Sequence, residues 1–154
     1  MKRFLFTACL ITVLIGVMLY FMPRSFVSDA QAYVKYDPAI TVYCRDTSLP
    51  CIDSGLGKQV ACDCADFEST LAECSGVDGV SFTFCGTPDD VADVVSRLRA
   101  QPVCSQAFDG LTVACYYSPL IRQCVTIDGR SVNVQIACRD GVVTVGYPLI
   151  LGSY

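Results

Sequence analysis

Two thiols flank one residue in Cys62-Asp63-Cys64, the tightest cysteine pair in a chain that holds eleven cysteines and no histidine. At a helix start such a Cys-x-Cys pair can work as a redox couple, because the helix N-terminus favours the thiolate and makes it reactive. The same two residues can instead enter two different disulfides, or the core, as small apolar groups. A zinc ribbon would need a second close-spaced pair or histidine ligands, so no metal and no cofactor is expected. The absence of histidine also excludes Ser-His-Asp and Cys-His hydrolases and most general-base chemistry near neutral pH. Asp63, Asp66, Glu68, Asp89, Asp90 and Asp93 remain as material for an acid/base pair or a calcium site. None of them fits the calcium-loop spacing, and acids in first helical turns are already favoured by the helix dipole.

Cys9 lies in an apolar N-terminal run, which leaves ten cysteines for the remainder of the chain. An even count at this density fits a disulfide framework if the chain leaves the cytoplasm. The beginning of the chain supports that. Lys2 and Arg3 precede Phe4–Met22, nineteen residues without a charge, and Ala30-Gln31-Ala32 supplies a small-x-small cleavage site. Residues 1–32 therefore read as a secretory signal cut after Ala32, or as an anchor that spans the membrane through residues 4–22. In both cases the rest is exported. From Tyr33 onward eight bases face fourteen acids, a net charge of −6, with no basic cluster. Phosphate backbones and anionic headgroups are poor partners for such a surface, so nucleic acid is not expected.

Residues 33–38 read as a polar connector, and 39–154 as one exported domain. Ala39–Arg45 has strand composition, residues 46–57 are loop, and Gln59–Cys62 is a short strand. A helix is predicted over Asp63–Glu73, with Asp63 as N-cap, Phe67, Leu71 and Cys74 on one stripe, and Gly76 as the stop. Val80, Phe82 and Phe84 alternate with polar residues as in a strand. Thr87-Pro88-Asp89-Asp90 is the clearest helix start, followed by the stripe Val91, Val94, Val95 and Leu98. Residues 103–110 are expected to be a connection. Leu111–Pro148 reads as four strands divided by Ser118-Pro119, Asp128-Gly129 and Asp140-Gly141, the last two being strong hairpin signals.

Pairing outward from the turns places Cys138 opposite Val143, Ile136 opposite Val145, Val134 opposite Tyr147 and Val125 opposite Val132. The predicted fold is α+β: an antiparallel sheet, made of a four-stranded C-terminal meander and one or two further strands, with two helices on one face. By the same parity Cys74, Cys115 and Cys138 belong beneath the helices. The opposite face, with Thr112, Arg122, Thr126, Ser131, Asn133, Gln135, Arg139 and Thr144, is solvated or a contact surface. Cys85 and Cys124 fall on that polar side and are expected to be bonded to some partner, each other included. Cys44 and Cys51 are further disulfide candidates.

The helix ending in Leu98-Arg99-Ala100, then Tyr117-Ser118-Pro119, Asn133-Val134-Gln135-Ile136-Ala137 and Val145-Gly146-Tyr147-Pro148-Leu149-Ile150, resembles the C-terminal half of the YwmB-like family of secreted or anchored Gram-positive proteins. The resemblance covers about residues 79–154 and implies a sheet like that of the TATA-box-binding protein, with helices on its convex side. It implies no catalytic residue, and residues 39–78 fall outside it. The expected function is thus a non-enzymatic envelope domain that binds a protein or ligand through its sheet. A thiol-redox protein using Cys62 and Cys64, and a cell-wall enzyme using carboxylates, are the alternatives.

Overall fold

The computed structural model describes residues 33–152 with the exception of Leu56. The N-terminal run, Cys9 and the Ala30/Ala32 cleavage site lie outside the described residues. A 3₁₀ turn at Val34–Tyr36 leads into β1 (Ala39–Thr47), β2 (Ile52–Asp53) and β3 (Lys58–Cys62). Helix α1 (Phe67–Glu73) runs directly into β4 (Cys74–Cys85), and α2 (Pro88–Arg97) follows. The remaining strands are β5 (Gln101–Phe108), β6 (Leu111–Tyr117), β7 (Val125–Ile127), β8 (Arg130–Val132), β9 (Val134–Arg139) and β10 (Val142–Tyr147). Eight of them form one antiparallel sheet in the order β2-β3-β1-β4-β10-β9-β6-β5, and β7 and β8 form a separate ribbon. The class is α+β.

Residue types explain the centre of the sheet. Val80, Phe82 and Phe84 of β4 alternate inward and meet Val42 and Ile40 of β1 on one side and Tyr147, Val145 and Val143 of β10 on the other. All of these are buried. Both helices cover this face: Phe67 of α1 meets Phe82 edge-on, and Val94 of α2 and Leu98 at its C-terminal cap join the same cluster. Helix α2 begins where expected, at a Thr87 cap followed by proline. Asp90 completes a capping box by accepting the Thr87 N–H at 2.8 Å. Residues 33–38, expected to be a connector, add to the core instead. Tyr33 stacks on Phe82 and Tyr36 on Phe84, with centroids 4.7 and 4.4 Å apart.

The C-terminal hairpins keep their expected register, with Cys138 opposite Val143, Ile136 opposite Val145 and Val125 opposite Val132. The simple meander does not survive. Strand β6 pairs with β9 directly, and β7–β8 are excluded from the sheet. Asn133 is the reason. Expected on an open polar face, it is fully buried, where its side chain accepts from the Ser118 N–H at 2.7 Å and donates to the Ser118 and Ile121 carbonyls at 2.7 and 3.0 Å. That amide clamps the 118–121 corner to the start of β9, so β6 is delivered to β9 and the ribbon is looped out.

Residues 103–110 are not a connection either. β5 pairs with β6 across Asp109-Gly110, a third Asp-Gly turn with φ of 46° and 76°, the same I′ geometry as Asp128-Gly129 and Asp140-Gly141. Pairing with β9 also reverses the expected parity of β6. Tyr116, Ala114 and Thr112 share the helical side with Val134, Ile136 and Cys138, and Cys115 goes to the opposite face with Gln135.

Helix α1 starts at Phe67 rather than Asp63, because Asp63 accepts from the Ala65 and Asp66 N–H groups in a local turn. Gly76 lies within β4 at φ +63° and is no helix stop. Beyond Tyr147 the chain returns over the helix-free face. Ile150 is buried there, and its N–H donates to the Gln135 side chain at 3.0 Å. A Cβ on Gly146 would come within 2.6 Å of Ile150 and Leu149, so only glycine admits this crossing.

Ile136→Ala should cost about 2–5 kcal/mol by opening a cavity in the central layer. Gln135→Ala, at the next position, should cost only about 0.5–1.5 kcal/mol through the lost bond to the tail. Chemical denaturation of both variants tests the face assignment, and the reverse order would refute it. The Thr87 N–H and hydroxyl hold the Asp90 carboxyl below the usual aspartate range. A folded-state pKa lower than the unfolded one means that the contact stabilises above the ordinary aspartate pKa and is lost as pH falls through the lowered value. The difference in unfolding midpoint between wild type and Asp90→Ala should therefore be open at neutral pH and close in acid. A difference that persists to about pH 2 would show that charge is not its origin.

Candidate functional site

The ten described cysteines are all free thiols in this structure. Cys62 ends β3, half-buried beside Thr70, and Cys64 lies in the turn before α1, packed against the core. Neither sits at the helix N-terminus, which is three residues past Cys64. Burial pushes both thiols up, and the neighbouring carboxylates Asp63 and Asp66 push Cys62 further in the same direction, while Asp37 and Asp63 do so for Cys64. A thiol that attacks disulfides needs the opposite, a cation or a helix end that favours the thiolate. Beside Cys62 an open cleft of about 330 Å³ is lined by Leu49, Val60, Asp66, Thr70 and Glu73. Its only charged lining groups are acids, which suits neither thiolate formation nor an anionic substrate.

Cys44 is buried in β1, and desolvation followed by contact with the Cys74 thiol raises it to about 11. Cys44 faces Val77, and Cys74 faces Thr47, so the two are three residues out of register on neighbouring strands. Cys51 is exposed in the loop before β2.

Cys85 and Cys124 are both exposed and lie toward opposite ends of the sheet. Cys85 ends β4 opposite Val142, whereas Cys124 precedes Val125, whose partner Val132 leads into β9 at the Tyr147 end of the sheet. The intervening five residues of β10 amount to more than about 15 Å. Cys74 and Cys138 are half-buried on the helical side as expected, and Cys115 is buried on the other.

Three of the six carboxylates, Asp63, Asp90 and Asp93, are taken up in local structure. Asp63 closes its turn, and Asp90 caps α2. Asp93 pairs with Lys35 at 2.8 Å and Arg97 at 3.1 Å, which holds it below the usual carboxylate range. Among the described residues no group of three or more Cys, Asp or Glu is placed to hold a metal ion. No helix among them is long and apolar enough to cross a membrane.

What remains accessible is the far border of the sheet. The tail covers the helix-free face over Gln135 and Gly146 and leaves β5 and the Asp140-Gly141 end open. Leu111, Ala137, Arg139, Asp140, Val142 and Thr144 line a shallow hollow of about 240 Å³ there. Phe108, on the same face at the tip of β5, is 80% exposed. β5 is also a free edge. Its Asp109-Gly110 turn makes Phe108–Leu111 a hydrogen-bonded pair, so Gln106–Val113 and Cys104–Cys115 are hydrogen-bonded in alternation. The N–H and C=O groups of Ser105 and Ala107 then point off the sheet. At the other end of β5, Arg130 of the ribbon donates to the Val103 carbonyl at 3.0 Å. Sequence reasoning missed this strand although Asp109-Gly110 carried the signal used for the two later turns.

Comparison with protein-family models, curated proteins and solved structures finds no match.

Removing the Asn133 amide would strand a buried N–H and two carbonyls. Asn133→Ala should cost about 1–3 kcal/mol and loosen the ribbon, which hydrogen exchange across 118–132 would report. Unchanged stability and exchange would show that the corner is held by other contacts.

Proposed function

We propose that this chain is a non-enzymatic, exported domain of the cell envelope that binds an extended segment of another envelope protein along β5. The observation that carries this reading is the free edge itself: eight residues, exposed at all but one position, ending in an exposed phenylalanine. Such an edge accepts an added strand, with main-chain hydrogen bonds for affinity and side-chain hollows for specificity. The net charge of −6 beyond Tyr33 favours a neutral or basic segment. The N-terminal pattern of residues 1–32 and the resemblance to secreted YwmB-like proteins support the location. The upward-shifted thiols and the occupied carboxylates support binding over redox or hydrolytic chemistry.

A photo-crosslinker at Gln106 of the full chain, expressed in a Gram-positive host, should capture one envelope protein for purification and affinity measurement. Ser105→Pro removes an outward N–H without touching a β6 bond, and Phe108→Asp removes the apolar anchor. Each should weaken binding at least about tenfold, with unfolding midpoints unchanged. A purified partner that binds both variants with wild-type affinity would sink the proposal, as would a chain retained in the cytoplasm.

A further inference from the structure

Beyond that binding role, the register of the edge hairpin carries a modification site. Cys104 of β5 and Cys115 of β6 are Cα partners, and among the described cysteines no other two face each other across a ladder. We propose that Cys104 and Cys115 form a cross-strand disulfide that staples the free-edge hairpin of the exported domain. Directly opposed residues of a hydrogen-bonded antiparallel pair lie about 5.5 Å apart at Cα, within the commonest disulfide range. The side chains share the helix-free face, and the two thiols already interact as hydrogen-bond partners. Gln135 donates to the Cys115 sulfur at 3.7 Å, which holds that side chain in place.

The two thiols have unequal access, and this sets the order of events. Cys104 is exposed and Cys115 is buried, its thiol pushed up by desolvation and then by Cys104. Cys104 therefore attacks an external disulfide, of protein or small-molecule type, as thiolate, and expels one of its sulfurs as a thiolate. Cys115 loses its proton to the departing thiolate or to solvent and attacks the Cys104 sulfur of the mixed disulfide, which releases the second thiolate. The protein loses two protons and two electrons, and the external disulfide becomes two thiols. Closing this hairpin restricts the unfolded chain at the border where no further strand supports β5.

The test uses the reduced full chain equilibrated in a graded glutathione buffer, so that the oxidant is supplied and the outcome does not depend on export. After acid quenching, alkylation and non-reducing peptide mapping, the expected product links the Cys104 and Cys115 peptides and leaves Cys51, Cys85 and Cys124 alkylated or glutathione-capped. In the oxidised protein the β5 amides should exchange with solvent more slowly than in the reduced protein, while those of β4 are unchanged. Cys104→Ser should abolish both effects and keep the wild-type circular dichroism. Persistent glutathione on Cys104, full alkylation of both residues in the most oxidising buffer, or linkage of either to a different cysteine would overturn the proposal.

Discussion

Strand β4 is the one element bonded to both halves of the molecule. Residues 39–62 lie on one side of it through β1, and residues 101–147 on the other through β10. Neither half touches the other in the sheet except through this strand. Its inward residues, Val80, Phe82 and Phe84, are the apolar surface on which Tyr33, Phe67 and Tyr147 converge, with Phe82 meeting all three rings. Burial of these side chains is a non-directional driving force, but the two-residue alternation makes it directional: a slip of one position would turn three large residues to the other face. Both helices and the aromatic 33–36 turn are placed by that constraint, as is the tail's route over the helix-free side.

Among the described residues, the buried polar side chains Asn133, Ser118 and Ser81 all have hydrogen-bond partners. Asn133 and Ser118 satisfy the backbone of a corner that would otherwise carry orphaned amides, with the Ser118 hydroxyl donating to the Leu98 carbonyl at the end of α2. One small network thus joins the helical layer, the β6 corner and the start of β9. The carboxylates do similar local work at caps, turns and ion pairs. Functional interest shifts accordingly to the sheet border, where the N–H and C=O groups of Ser105 and Ala107 point off the sheet, and where an open edge is tolerable only if it is short, guarded or used. Arg130 guards one end of it, the proposed disulfide would stiffen it, and Phe108 remains exposed at the other end.

Much of the fold was legible in the text because local signals and global pattern agree. Thr87-Pro88-Asp89-Asp90 specifies a helix start within four residues, and Asp128-Gly129 and Asp140-Gly141 specify turns whose positive φ angles few other pairs accept. Asp109-Gly110 was just as explicit, but Gln101–Phe108 lacks the buried, alternating face that marks a central strand. An edge strand contacts a single neighbour and needs no such pattern, so its composition reads as loop. The start of α1 was misplaced for a related reason: Asp63 can cap either a helix or a tight turn, and only the packing of Phe67 decides where the helix begins.

By itself the sequence determined those elements whose cause is local: the turns, the α2 cap, the period-two faces of β4, β9 and β10, and hence the α+β class. Tertiary structure alone decided which strands became neighbours. The partner of β6 depends on how Asn133 folds the 118–133 segment, because a strand's side-chain pattern states which face is apolar but not which edge it joins. From that choice follow the burial of Cys115 on the helix-free face, its position opposite Cys104, the separation of Cys85 from Cys124, and the free edge at β5. Chemistry that depends on two distant residues meeting, as thiols and docking strands do, is settled by strand order, and strand order is a property of the whole packed sheet.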